Sequence, residues 1–353
     1  MNPIIVSAAY DSTIIFWNSE GVFIDLMREE DGRNRKPVLA MSIVNEGTGL
    51  VAAYNGKLKL FDINKPRGES ELRCNGVVEN FNCMDYSDIS RRLVTGSDDS
   101  MVRVWDAHRQ TPNCTMEMRL SMDVLSVRLH PNQHTIFACD VNGAMCHMDI
   151  RNRSKTLISS PNLGLNEKMY AVAVSPNGKY LAAGTSQGRI FVWETHDFAA
   201  PVVVTKPANR RKFFKFNAAM AGCMAVARRA IEPSVSASWN SEPFVATVEK
   251  FVTNIRFKDN GTFVAMFCNG DIEVWSVHER DNKKPLLNLV DNRTRCLWAW
   301  DCAFTIVNNE DCALVCTGTD LRLWNMENGW VQRTFRGHAA PVTSFAYREA
   351  QVA

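Results

Sequence analysis

The segment Asp99-Ser100-Met101-Val102-Arg103-Val104-Trp105-Asp106 decides the fold of this 353-residue chain. It opens on an Asp-Ser pair, and such residues occupy tight turns because they tolerate positive φ cheaply. Apolar Val102 and Val104 then flank Arg103, the alternation of a strand with one buried face. The segment closes on a tryptophan followed by a short acidic residue. The same grammar returns at Phe16-Trp17-Asn18, Leu60-Phe61-Asp62, His147-Met148-Asp149, Val192-Trp193-Glu194, Val274-Trp275-Ser276 and Leu323-Trp324-Asn325. The seven anchors are spaced by 44, 44, 43, 45, 82 and 49 residues. All but one interval fall near the roughly 40–45-residue period of a four-stranded propeller blade.

The register extends beyond the anchors. Six residues before them stand Asp11, Asn55, Asp99, Asn142, Gln187, Asn269 and Gly318, followed by Ser12, Gly56, Ser100, Gly143, Gly188, Gly270 and Thr319. Three residues before them every position is apolar, from Ile14 to Leu321. A preceding strand reads in Ile5-Val6-Ser7-Ala8-Ala9 and Leu93-Val94-Thr95-Gly96. An innermost strand reads in Asn82-Cys83-Met84-Asp85-Tyr86, Ala171-Val172-Ala173-Val174 and Thr253-Asn254-Ile255-Arg256-Phe257, with small residues expected to crowd a narrow channel. From Trp324 around to Trp17 is 46 residues, one more repeat length. The chain starts on a second-strand pattern and ends on a spare first strand, Val342-Thr343-Ser344-Phe345-Ala346-Tyr347. The two ends are therefore expected to build one blade together, which removes exposed sheet edges. The expectation is an all-β, seven-bladed WD-repeat β-propeller, a single domain over 1–353.

The long interval exceeds a blade by roughly one repeat, in the manner of either an extra blade or an insertion. Trp239-Asn240 imitates an anchor, but no turn or alternating strand precedes it. The segment 217–229 is rich in alanine and methionine, which favours helix, and Pro233 with the serines after it reads as loop. A loop or helical insertion over 208–247 is expected, on the face that carries the Asp and Asn turns.

Composition bounds the function. Hydrophobic residues make up 46% and charged residues 22%, ordinary for a globular chain with ample core, and the net charge of +2 gives no argument for nucleic acid. No apolar run reaches membrane-spanning length, and Met1-Asn2-Pro3-Ile4-Ile5-Val6 lacks a basic region before a long apolar stretch. The 11 cysteines are accordingly expected as reduced thiols, with the chain in the cytoplasm. Cys139 with Cys146, and Cys312 with Cys316, lack zinc-site spacing, so no metal and no cofactor is expected. No Gly-rich phosphate loop, nucleophile elbow or histidine pair at helical spacing occurs, and the turn aspartates have structural hydrogen bonds to make. No catalysis is expected. His338 follows Gly337 where WD repeats use a Gly-His pair structurally. Arg33, Arg35 and Lys36, Arg210, Arg211 and Lys212, and Arg293 and Arg295 fall in loops that share one face. They read either as solvated loops or as a basic face for an acidic partner. Trp298-Ala299-Trp300 begins an inner strand, so both tryptophans point alike near the channel mouth. With Tyr10 and Asp11 they are the candidate partner contacts, since tryptophan is enriched at binding hot spots.

Several of these stretches resemble one family. Ala9-Tyr10-Asp11-Ser12-Thr13-Ile14-Ile15-Phe16-Trp17 and Leu60-Phe61-Asp62-Ile63-Asn64, with its tryptophan-free anchor, resemble the small WD-repeat subunit of target-of-rapamycin kinase complexes, the G-protein-β-subunit-like family. Leu129-His130-Pro131-Asn132-Gln133 with Asp140 and Gly143-Ala144 is similar too. So are Trp298-Ala299-Trp300-Asp301-Cys302-Ala303-Phe304, Leu321-Arg322-Leu323-Trp324 and the Gly337-His338 ending. The likeness covers nearly the whole chain outside 208–247. It implies a non-catalytic seven-bladed subunit that binds the C-terminal lobe of a target-of-rapamycin kinase, together with other complex subunits, and stabilises its kinase domain. A WD-repeat adaptor of a ubiquitin ligase, or a chromatin-associated peptide reader, is the alternative. The long insertion and the weak anchor Met148 depart from the family pattern.

Overall fold

Alternating sequence becomes strand after strand: among the described residues the computed structural model has thirty strands and no helix. The described residues are 4–18, 20–28, 37–54, 56–74, 79–108, 111–158, 167–203, 212–216, 244–248, 251–278, 284–289 and 298–348. Twenty-eight of the strands form seven four-stranded antiparallel sheets, the seven blades.

Blade one combines both ends of the chain, in the order Val342–Arg348, Ile4–Ala9, Thr13–Asn18, Phe23–Arg28. Ile5 pairs with Tyr347 and Ser7 with Phe345, so the expected closure is present. Blade two holds Val38–Val44, Gly49–Tyr54, Lys57–Asp62 and Lys65–Leu72, and blade three Phe81–Ser87, Arg92–Ser97, Met101–Asp106 and Asn113–Arg119. Blade four runs Val124–Leu129, Thr135–Asp140, Met145–Asp149 and Ser154–Ile158. Blade five runs Met169–Val174, Tyr180–Thr185, Ile190–Glu194 and Asp197–Val203. Blade six has Val252–Phe257, Thr262–Phe267, Ile272–Ser276 and Leu287–Leu289, and blade seven Ala299–Val307, Glu310–Thr317, Asp320–Asn325 and Val331–Arg336. First strands of neighbouring blades touch all the way round, and those of blades seven and one close the ring.

The turns behave as their residues require. Between second and third strands φ is +68° at Ser12, +64° at Ser100 and +82° at Gly143, the left-handed region that short polar residues and glycine reach most cheaply. In blade seven the positive φ falls one residue earlier, on Gly318.

The core is not one packet but seven, each between two adjacent blades. Every anchor packs toward the blade before it: Phe61 joins the packet shared by blades one and two, Trp105 that of blades two and three, Met148 that of three and four. Trp193, Trp275, Trp324 and Trp17 continue the pattern round to the seam between blades seven and one. The weak anchor Met148 is as buried as the tryptophans, so the position asks for apolar bulk rather than indole. Burying one such side chain contributes about 1.5–3 kcal/mol.

Among the described residues the interval between blades five and six contains no further four-stranded sheet. Lys212–Phe216 and Phe244–Val248 instead pair with each other as a separate two-stranded sheet, two strands that the loop or helical reading did not include. The alanine- and methionine-rich stretch 217–229 lies outside the described residues.

Candidate functional site

The innermost strands carry a repeated irregularity that builds the central channel. In blades two to six the pairing of first and second strands slips by one residue near the start, between Val38 and Ala40, Phe81 and Cys83, Val124 and Ser126, Met169 and Ala171, and Val252 and Asn254. Blade seven slips between Ala299 and Cys302, and blade one skips Thr343. Such bulges leave a residue out of the ladder and re-aim its side chain. The residues so released are Leu39, Asn82, Leu125, Tyr170, Thr253, Trp300, Asp301 and Thr343, and all of them line a channel cavity of about 150 Å³.

Aromatic groups dominate one side of the mouth. Trp298 is 4% exposed and stacks against Trp300 with ring centres 5.1 Å apart and an 11° interplanar angle. It meets Phe251 edge-on at 5.5 Å, and Phe251 meets Tyr170 at 6.1 Å. Trp298 sits at φ +68°, an outlying conformation for a bulky residue that its surroundings must hold. Its main chain is fixed on both sides, with its N–H donating to the Cys268 carbonyl at 3.1 Å and its carbonyl accepting from Gly318 N–H at 3.1 Å. The aromatic row thus rests on a rigid ledge.

The expected contact residues divide by depth. Tyr10 and Trp300 are partly exposed and line the channel cavity. Trp298 is buried and stacked against Trp300 as a support. Asp11 is 6% exposed and engaged in the seam of blade one. There Trp17 Nε1 donates to Ser7 Oγ at 2.8 Å, and Ser7 Oγ lies 2.7 Å from His338 Nε2. His338 Nδ1 lies 2.8 Å from Thr13 Oγ1, and the Thr13 hydroxyl donates to Asp11. Asp11 also accepts from Ala339 N–H at 2.9 Å and Thr13 N–H at 3.0 Å. Burial pushes the Asp11 carboxyl up, but His338, the Thr13 hydroxyl and the two main-chain N–H groups outweigh it and hold it well below the usual carboxylate range. The Gly337-His338 pair is therefore structural, as its spacing indicated. Arg33, Arg35, Lys36, Arg210, Arg211, Arg293 and Arg295 lie outside the described residues.

Deeper in the channel stand charges that the pattern of small residues did not announce. Asp301 Oδ1 accepts from Arg256 Nε at 3.1 Å, from Asn254 Nδ2 at 3.2 Å and from its neighbour's N–H, Cys302, at 3.0 Å. Burial lowers the Arg256 pKa, but Asp301 and Asp85 override it and raise the guanidinium above its ordinary value. Arg128 differs. It is 7% exposed and, among the described residues, donates only to the Val127 carbonyl at 2.8 Å and to Asn254 Oδ1 at 3.2 Å. Burial lowers its pKa, and the like charge of Arg256 adds to that, while Asp85 and Asp301 act in the opposite sense. The signal in the sequence was polar residues two apart in apolar strands: Cys83 and Asp85, Asn254 and Arg256. Their partners stand one to three blades away, and the repeat carries no trace of that pairing.

A second exposed feature lies on the rim. Val22 and, on the outer strand of blade one, Phe23, Ile24 and Leu26 are each at least 43% exposed, and Trp330 beside the outer strand of blade seven is 75% exposed. Contiguous exposed apolar residues mark interaction surfaces more often than isolated ones. Among the described residues no group of three His, Cys, Asp or Glu side chains could hold a metal ion, and no helix is long and apolar enough to cross a membrane.

Fold, seam and channel together define a WD-repeat β-propeller, and the family model described as WD domain, G-beta repeat matches residues 71–106 and 164–194. The resemblance read in the sequence is likewise borne out. The chain is 26% identical over 192 residues to the target of rapamycin complex subunit LST8 of Bos taurus, covering 54% of this chain and 56% of that protein. It is 27% identical over 191 residues to the target of rapamycin complex subunit wat1 of Schizosaccharomyces pombe, covering 54% and 58%. The LST8 subunit of Saccharomyces cerevisiae is 25% identical over 195 residues, covering 55% and 62%. The matched part spans little more than half the length of these relatives.

Proposed function

We propose that this chain is a non-catalytic scaffold subunit of a target-of-rapamycin complex in the cytoplasm, serving nutrient and growth signalling. In this reading it binds the C-terminal lobe of the kinase domain and stabilises it. The observation that carries the reading is the likeness to target-of-rapamycin complex subunits over 192 residues. The physics of the fold supports it. Loops standing on a stiff ring lose little conformational entropy when a partner binds, so more of the contact energy reaches affinity. Tyr10 and Trp300 at the mouth are the proposed contacts, with Asp11 and Trp298 fixing the backbone beneath them.

The test is retention of a purified target-of-rapamycin kinase domain by the immobilised chain. Wild type is expected to retain it. A Tyr10→Ala/Trp300→Ala variant with an unchanged far-ultraviolet circular dichroism spectrum is expected to retain it at least tenfold less well, the scale of about 1.4 kcal/mol or more at a binding hot spot. A wild-type chain that retains no kinase domain overturns the proposal. Equal retention by the variant removes the mouth as the contact.

A further inference from the structure

Arg128 is the anomaly of the channel. A guanidinium taken out of water is costly unless a carboxylate neutralises it. Arg256 has Asp301 for this purpose, whereas among the described residues no carboxylate lies within ion-pair distance of Arg128. Its Nε is buried without a hydrogen-bond partner, and two other residues of the same cavity share that condition: Asn82 at Oδ1 and Trp300 at Nε1. Native proteins satisfy nearly all such groups, so three around one cavity is a concentration that asks for a cause. The three are complementary: two donors, one of them cationic, and one acceptor.

We propose that the channel is a binding site for a carboxylate that carries a neighbouring N–H or O–H, seated on Arg128, with Trp300 N–H as a second donor and Asn82 Oδ1 taking the ligand's own hydrogen. A guanidinium presents parallel donors that match a planar carboxylate. Asp301 lines the same cavity and Asp85 acts on Arg128 electrostatically, so a doubly charged phosphate meets repulsion that a single negative charge largely escapes. The small side chains Ala40, Ser126 and Ser344 leave the room. Tyr10 and Tyr170 line the same cavity. A free hydroxy acid and an acidic residue on a protein loop both offer this chemistry. The site does not depend on the kinase reading.

Calorimetric titration of the full chain distinguishes the sources. One arm uses sodium glycolate; the other uses an end-blocked tripeptide centred on glutamate. The same tripeptide with glutamine, and sodium chloride at matched ionic strength, are the controls. Saturable binding of glycolate identifies a free small acid, and binding of the glutamate tripeptide alone identifies a protein loop. Arg128→Gln is expected to weaken binding about tenfold or more while leaving the thermal midpoint unchanged or raised, because it removes a buried unpaired charge. A purely structural arginine would instead lower the midpoint. If Arg128→Gln does not fold, Trp300→Phe keeps an aromatic ring and removes the N–H, and is expected to weaken binding several-fold. The proposal is overturned if neither probe binds saturably, if the glutamine tripeptide binds equally, or if folded Arg128→Gln binds as wild type does.

Discussion

Blades one and five solve the same packing problem with different chemistry. In both, a tryptophan on the third strand fills the packet shared with the preceding blade, Trp17 at 3% and Trp193 at 1% exposure. In blade one the indole N–H begins a hydrogen-bonded relay through Ser7, His338 and Thr13 to Asp11. In blade five Trp193 Nε1 has no partner among the described residues, and the ring stacks on Phe191 at 5.9 Å instead. The cause is one position. Ser7 faces Ile15 across the ladder, two residues before the anchor, and in blade five the residue at that register is Ala183, facing Phe191. Blade three repeats the indole bond but not the histidine relay, with Trp105 Nε1 donating to Thr95 Oγ1 at 2.9 Å, and blade seven repeats the second solution, with Val315 at the register and Trp324 Nε1 unpartnered among the described residues.

Apolar bulk is thus the general requirement, and the polar relay is added where the ring must be closed. The seam joins strands more than three hundred residues apart with no loop between them, the pairing with the highest entropic cost in the chain. The relay ties the second- and third-strand turn of blade one to Ala339, just before the strand that completes it. It fixes register at the point where the chain itself supplies no tether.

Removing the wedge separates the two blades most strongly. Trp193→Ala is expected to cost about 3–5 kcal/mol, the range for emptying a large core site. Trp17→Ala should cost more, because Ser7 also loses the hydrogen-bond donor that begins the relay; equal shifts of the urea midpoint would mean that the relay contributes nothing. Removing only the relay is the next step down. Ser7→Ala strands the Trp17 N–H and is expected to cost about 1–3 kcal/mol.

Acid provides a gentler probe. Because the folded Asp11 pKa lies below its ordinary value, the stability it contributes is complete above the unfolded carboxylate range, about 4. It is lost as pH falls from there toward the depressed folded value. Asp11→Asn should therefore lower stability at neutral pH and flatten the acid side of the stability profile, read from urea midpoints between pH 7 and 3. A variant with the wild-type acid slope would contradict this. The smallest effect sharpens the contrast in the opposite direction. Ala183→Ser gives Trp193 the acceptor it lacks and is expected to stabilise by about 0.5–1.5 kcal/mol, the net value of a hydrogen bond; a lower thermal midpoint would show that packing at that register outweighs the bond.

Much of this was legible beforehand, for a physical reason. Anchors, turns and closure repeat, so seven weak signals reinforce one another, and the relay histidine stood in a recognisable Gly-His pair. The channel charges do not repeat. Arg128 meets Asn254 from 126 residues away, and only closing the ring brings them together. The bulges that aim Asn82 and Trp300 into the channel alter pairing by a single residue without disturbing the alternation around them. Nor does alternation tell which outer strands stay uncovered, so the exposed run from Val22 to Leu26 reads like any other strand.

The central claim, membership of a target-of-rapamycin complex, is tested most directly by affinity purification of the tagged full chain from its own cells, followed by mass spectrometry. A very large phosphatidylinositol-kinase-related kinase recovered in comparable amount to the chain is the expected result. Recovery of cullin or histone-modifying subunits, with no such kinase, would contradict the account.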